Sequence, residues 1–121
     1  MTYADIIMTS PIVGKGDGVR RMIGDVNSVQ WTDAQLLRFL GDAVRDIMDV
    51  RPDAQFDDNG NAVEFDFPTD PAQDFPIAEK WATAAMFYAA WRVFKIDYVD
   101  SASGWNKTKD MKASYDAELA R

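Results

Sequence analysis

The chain has 121 residues, 47% of them hydrophobic, with no Cys, no His, and 13 Lys and Arg against 20 Asp and Glu, a net charge of -7. A domain of this length buries roughly two thirds of the surface its unfolded form exposes, so a single core can hold it together without staples. The missing residue types exclude disulfides, thiolate nucleophiles, zinc fingers and imidazole bases, and the acidic balance makes the whole chain a poor ligand for DNA or anionic membrane.

The first residues, Met1-Thr2-Tyr3-Ala4-Asp5, lack the basic residues and apolar run of a signal peptide. Tyr3 to Met8 has room for a short helical turn, which Ser10-Pro11 stops. Gly14-Lys15-Gly16-Asp17-Gly18 lacks the Gly-Lys-Ser/Thr ending of a phosphate-binding loop and the spacing of a dinucleotide fingerprint. Residues 1–18 are therefore expected to be a flexible N-terminal segment. Val19 to Val26 predicts a brief helix with Val19, Met22, Ile23 and Val26 on one face, and Arg20 and Arg21 on the other, where adjacent arginines ordinarily form a solvated face and the alternative is contact with an acidic neighbour.

Thr32 and Gln35 have the form of a capping box, and Trp31 and Leu36 sit where a hydrophobic staple needs its two halves. Apolar residues then recur at 36, 37, 40, 43, 44, 47 and 48 until Arg51-Pro52 forces the chain out of helical geometry. Gly41 interrupts this helix at a cost of roughly 1 kcal/mol against Ala.

Met22-Ile23-Gly24-Asp25, then Trp31-Thr32-Asp33-Ala34-Gln35-Leu36-Leu37, then Arg51-Pro52-Asp53-Ala54 form a pattern that resembles the head-to-tail adaptor (connector) proteins of tailed bacteriophages. The likeness runs from about residue 20 to the end. It implies a mostly helical, noncatalytic virion protein without a cofactor, which forms a ring, commonly dodecameric, at the neck between the capsid portal and the tail or nozzle protein. DNA would pass through such a ring without specific binding, and assembly would take place in the host cytoplasm.

Further along, Val63, Phe65 and Phe67 alternate with Glu64 and Asp66, and Asn59-Gly60 is a type I′ turn signal. Residues 54–67 are thus expected to form a β-hairpin inserted between the second and third main helices. Asp57, Asn59 and Asn61 have the spacing that opens a calcium loop, but Ala62 stands where that loop needs Gly and Pro68 where it needs Glu. Since a lone hairpin must cover its apolar face, Phe56, Val63, Phe65 and Phe67 are candidate interface residues, either within the chain or toward a neighbour.

Asp74 and Pro76 mark a helix start, and the helix is expected to run to about Tyr98, around 34 Å. Ile77, Trp81, Ala84, Tyr88 and Trp91 share one face, Phe87, Phe94 and Tyr98 widen it, and Ala82, Ala85 and Ala89 form a strip that admits another helix. Ser101 or Ser103 would cap a last helix within 100–121, with Met111, Tyr115 and Leu119 at helical spacing. Lys107, Lys109 and Lys112 beside Trp105 make it the most basic part of the chain. Because adaptors often engage the portal through terminal segments, the resemblance marks Trp105, Lys107, Lys109, Lys112 and Tyr115 as candidate portal-docking residues.

The expected fold is a single mainly α domain, a small bundle of about four helices with the inserted hairpin. The alternative to a ring-forming adaptor is a small acidic protein-binding module, monomeric or dimeric, regulating a host or phage protein. An enzyme working through paired carboxylates has only the abundance of Asp and Glu in its favour.

Overall fold

The computed structural model describes residues 1–8, 18–24, 30–97 and 102–120, with the backbone alone at 97 and 102–105. Among these residues the fold is mainly helical: α1 (Tyr3–Met8), α2 (Val19–Ile23), α3 (Asp33–Val50), α4 (Ala82–Asp97) and α5 (Ala102–Leu119). Short 3-10 turns at Pro52–Gln55 and Glu79–Trp81 follow α3 and precede α4. The Ser10-Pro11 stop, the glycine-rich loop up to Asp17, Val26 and Tyr98 lie outside the described residues.

The cap at Thr32 forms as its sequence dictates. The Thr32 hydroxyl accepts from the Gln35 N–H at 3.2 Å, and the Gln35 side-chain oxygen accepts from the Thr32 N–H at 2.8 Å. Two of the donors left open at a helix start are thereby satisfied. Leu36, Leu37, Leu40, Ala43, Val44 and Ile47 are buried along the predicted stripe, with Trp31 buried at its entrance. Phe39 is buried too, off that stripe, with its ring 5.7 Å from that of Trp31. At the far end Arg51 leaves helical geometry and Pro52 opens a 3-10 turn, whose fixed φ and missing N–H suit a first position.

Gly41 is there to admit another segment. A methyl group in its place would lie 2.8 Å from Cε1 of Phe67 and 2.8 Å from Cδ of Pro68. Although Ala gains about 1 kcal/mol of helix propensity over Gly, the overlap costs about 1–3 kcal/mol, because the Pro68 ring is tied to its backbone and cannot swing away. Gly41→Ala is therefore expected to lower the melting temperature; a rise would show that residues 67–68 move aside freely.

α4 is the hub. It meets α5 most extensively, then α3, and also touches α1 and α2. Ala82, Ala84, Ala85, Ala89 and Ala90 are all buried, so small side chains let neighbouring helices approach on several sides. The helix begins later than the Asp74–Pro76 signal implies, because residues 71–75 are engaged elsewhere. The Phe75 N–H donates to the Met1 carbonyl at 2.8 Å and the Tyr3 N–H to the Gln73 carbonyl at 3.0 Å, an antiparallel bridge centred on Thr2 and Asp74. Pro76 adds its own preference for an extended residue before it.

The helical turn expected from Tyr3 to Met8 forms as α1, and it is anchored in place of belonging to a flexible segment. Thr2 and Asp5 form a second capping box, with 2.8 Å from the Thr2 N–H to the Asp5 carboxylate and 3.2 Å from the Asp5 N–H to the Thr2 hydroxyl. The bond from the Thr2 N–H holds the Asp5 carboxyl below its usual range. Tyr3, Ile6 and Ile7 are all buried in the common core, and α1 is thus part of the fold.

Arg20 also departs from its expected solvated position. It is fully buried, donates to the Trp31 carbonyl at 2.9 Å and pairs with Asp33, so it ties α2 to the first turn of α3. Arg21 stays exposed.

The inserted β-hairpin does not form as expected: among the described residues there is no strand, and residues 54–67 contain a turn closed by one antiparallel bridge, Phe56 to Ala62. The reason lies upstream. Pro52 winds residues 52–55 into a 3-10 turn, which leaves no partner strand long enough for Val63 to Phe67. The turn bond runs from the Gly60 N–H to the Asp57 carbonyl at 3.0 Å, so Asp58 and Asn59 are central and Gly60, at φ 80°, follows them. The glycine thus follows the two central residues, and Asn59-Gly60 is not the central pair that a type I′ turn at this dipeptide requires. The Asp57 carboxylate accepts from the Asn59 and Asn61 N–H groups, both at 2.9 Å, which gives the calcium-like spacing a bracing role in the turn.

Candidate functional site

Two surfaces stand out once the core is accounted for, an arm formed by residues 56–67 and a groove between α4 and α5. Along the arm Val63 and Phe65 are half-buried against the core, while Ala62, Glu64 and Asp66 are exposed. This is the two-residue alternation of extended chain. Phe67 lies 5.6 Å from the Phe65 ring, packs on Gly41, has the Arg45 guanidinium 5.7 Å above it, and keeps 40% of its surface exposed. The bridge sets Phe56 opposite Ala62, and paired residues point their side chains to the same face. Phe56, 48% exposed, therefore shares the outer face with Glu64 and Asp66. Among the described residues no backbone–backbone hydrogen bond is made by residues 64–67.

The candidate interface residues thus separate. Val63 and Phe65 face inward, Phe56 and Phe67 remain available, and Glu64 and Asp66 join them as the acidic part of the arm. The sequence alternation already placed Glu64 and Asp66 opposite Val63 and Phe65, but not Phe56 beside them, because that depends on the register of the turn.

The groove has a volume of about 410 Å³ and is lined by Trp91 and Lys95 of α4 and by Thr108, Lys109, Lys112, Ala113 and Asp116 of α5. Trp91 is half-buried, and the ammonium groups of Lys95 and Lys112 each lie 5.2 Å from its ring centre. Lys112 also pairs with Asp116 at 3.0 Å. Beneath the groove Trp91 stands edge-on to Tyr88 at 5.3 Å, and Tyr88 edge-on to Tyr115 at 5.2 Å. Tyr115 donates to the Asp46 carboxylate of α3. Burial, and then that carboxylate, push the Tyr115 hydroxyl far above the usual phenol range. One turn earlier Asp42 accepts from Arg92 at 3.1 Å, and the Arg92 guanidinium lies 5.0 Å above the Phe39 ring.

These contacts revise the portal-docking set. Tyr115 is fully buried and serves as a tie between α3 and α5, so it is unavailable to a partner. Lys107 and Lys109 are exposed, Lys112 is half-exposed, and the Trp105 side chain lies outside the described residues. Of these lysines, Lys112 lies against Trp91 on the neighbouring helix, and Lys107 lies 5.9 Å from the ring centre of Phe94 on the same helix as Trp91. Sequence reading assigned Trp91 to a broad apolar face, since spacing along α4 alone says nothing about which residues of α5 come to it.

Arg51 was legible only as a helix stop, yet it is a structural clamp. It pairs with Asp53 at 3.0 Å, lies 5.2 Å above the Trp81 ring and donates to the Leu119 carbonyl at the end of α5. A cation there complements the partial negative charge of the helix terminus. Its hydrogen bond holds the Asp53 carboxyl below the usual range.

Among the described residues no group of three or more carboxylates is placed to hold a metal ion. No helix among them is long and apolar enough to cross a membrane. Compared with protein-family models, curated proteins and solved structures, the chain gives no significant match.

Proposed function

We propose that the chain is a structural subunit of a tailed-bacteriophage neck: a ring-forming head-to-tail adaptor that joins the capsid portal to the tail and encloses part of the DNA channel. The observation that carries the reading is the arm. The chain covers its own core yet leaves Phe56 and Phe67 about half-exposed on a segment whose residues 64–67 make no backbone–backbone bonds within the described fold. An apolar surface held out on an anchored segment suits a neighbour more than it suits water. The resemblance supplies the kind of neighbour. Its segments take up structural duties: Thr32 and Gln35 cap α3, and Arg51 clamps the end of α5. The net charge of -7 suits a conduit in which DNA must slide and must not be gripped.

The second reading, a small acidic protein-binding module, draws on the groove at Trp91, which has room for a peptide side chain or two. Mass in solution separates them. The purified chain, alone and mixed with the cognate portal ring, is expected to form a multi-copy ring or to join the portal in matching copy number. A monomer or dimer indifferent to the portal would favour the module.

A further inference from the structure

We infer that the outer face of the arm of one copy, formed by Phe56, Glu64 and Asp66, docks into the Trp91 groove of a second copy, head to tail. The inference rests on the ring-forming reading above and names its subunit contact.

Charge selects this pairing over the two symmetric ones. Arm against arm would set Glu64 and Asp66 against the same carboxylates, and like charges directly opposite one another destabilise a paired segment. Groove against groove would oppose Lys95, Lys109 and Lys112 to themselves. Arm against groove sets two carboxylates against three lysines, of which one is already paired with Asp116. The apolar parts match as well. The exposed ring of Phe56 needs an aromatic or aliphatic surface, and Trp91 offers a half-buried one whose two flanking ammonium groups are positioned to meet carboxylates.

Size agrees. From Thr108 to Asp116 the α5 wall of the groove is about 12 Å long at 1.5 Å per residue. Ala62 to Asp66, whose alternate residues face outward, covers about 13 Å as extended chain. Within one molecule the two surfaces are kept apart. Phe67 fastens the arm to the face of α3 that carries Gly41 and Arg45, whereas α5 is reached from another face, through Asp46. Contact between two different surfaces of identical subunits is heterologous, and when its rotation closes it makes a ring.

The test uses the full chain in four samples, measured by size-exclusion chromatography with light scattering, alone and on the cognate portal ring. These are the wild type, Glu64→Lys with Asp66→Lys, Lys95→Glu with Lys112→Glu, and an equal mixture of the two variants; circular dichroism checks that each is folded. Each variant alone is expected to need at least tenfold more protein to associate. The mixture is expected to recover, because a basic arm then finds an acidic groove while the remaining acidic arms find basic grooves. Added salt should weaken the wild-type contact. If the wild type forms multi-copy assemblies and both variants do so equally well, or if the mixture fails to recover, this contact is wrong and the adaptor reading stands. If the wild type remains a monomer both alone and with the portal, the adaptor reading fails and the contact with it.

Discussion

Replacing Arg20 with Ala is expected to destabilise the fold by about 3 kcal/mol, a large share of the roughly 5–15 kcal/mol that holds a domain together. The Arg20 side chain is fully buried, and its guanidinium bonds both the Trp31 carbonyl and the Asp33 carboxylate. Hydrogen bonds that involve a charged group contribute about 1.5–3 kcal/mol each, and deletion of the buried stem adds a cavity. Arg20→Met keeps much of the stem and should recover part of the loss. Arg20→Lys should recover only part of it too, since one ammonium cannot reproduce a forked pair of bonds. Asp33→Asn is the sharper comparison. Asp33 is 57% exposed, and a surface change of that kind ordinarily moves stability by less than about 0.5 kcal/mol. Here it would remove a carboxylate that faces a buried cation and should cost more than that. Urea denaturation of the four variants beside the wild type measures this. A loss below about 1 kcal/mol for Arg20→Ala would mean that burying the charge nearly cancels what its bonds provide.

Arg20 also shows where sequence reading stops. Local signals carried well: the Thr32 box, the apolar stripe of α3 and the Arg51-Pro52 stop each involve residues within one or two turns, and each is realised. Two adjacent arginines on a short helix ordinarily face water, so the local pattern favours a solvated Arg20. Its burial depends on Trp31 and Asp33, which a local pattern cannot bring to it. Pairing between distant segments misled in the same way. Asp74 and Pro76 look like a helix start until the Met1 carbonyl takes the Phe75 N–H. Val63, Phe65 and Phe67 do alternate as a strand should, and the inward half of that pattern holds, but the 3-10 turn at Pro52 removes the partner strand. The lysines of α5 are legible as a basic cluster, while the rings they meet are not, because Trp91 and Phe94 come from α4. Gly41, read as a cost to the helix, is better understood from Phe67 and Pro68, which occupy the space a side chain would need.

Alkaline pH is expected to destabilise the chain through Tyr3 and Tyr115, both buried in the core. In the unfolded chain a phenol loses its proton near pH 10. Burial raises Tyr3 to about 12, and burial together with Asp46 holds Tyr115 further above its ordinary value. Between these values the unfolded chain has released protons that the folded chain keeps. Stability is therefore at its full value below pH 10 and falls as pH rises, by up to about 1.4 kcal/mol per pH unit for each tyrosine. One unit above pH 10 the two together should cost about 2–3 kcal/mol. The phenylalanine variants divide this loss. Among the described residues the Tyr3 hydroxyl is buried without a hydrogen-bond partner, so Tyr3→Phe should be neutral or stabilising by about 1 kcal/mol at pH 7 and should flatten the alkaline slope. Tyr115→Phe loses the bond to Asp46 and should cost about 1.5–3 kcal/mol at pH 7, yet it too should flatten the slope. All other groups are the same in the three proteins, so the difference between the curves reports the tyrosines. Urea titrations at pH 7, 10 and 11 measure that difference. Parallel curves for wild type and both variants would mean that neither hydroxyl is shielded from water in the folded chain.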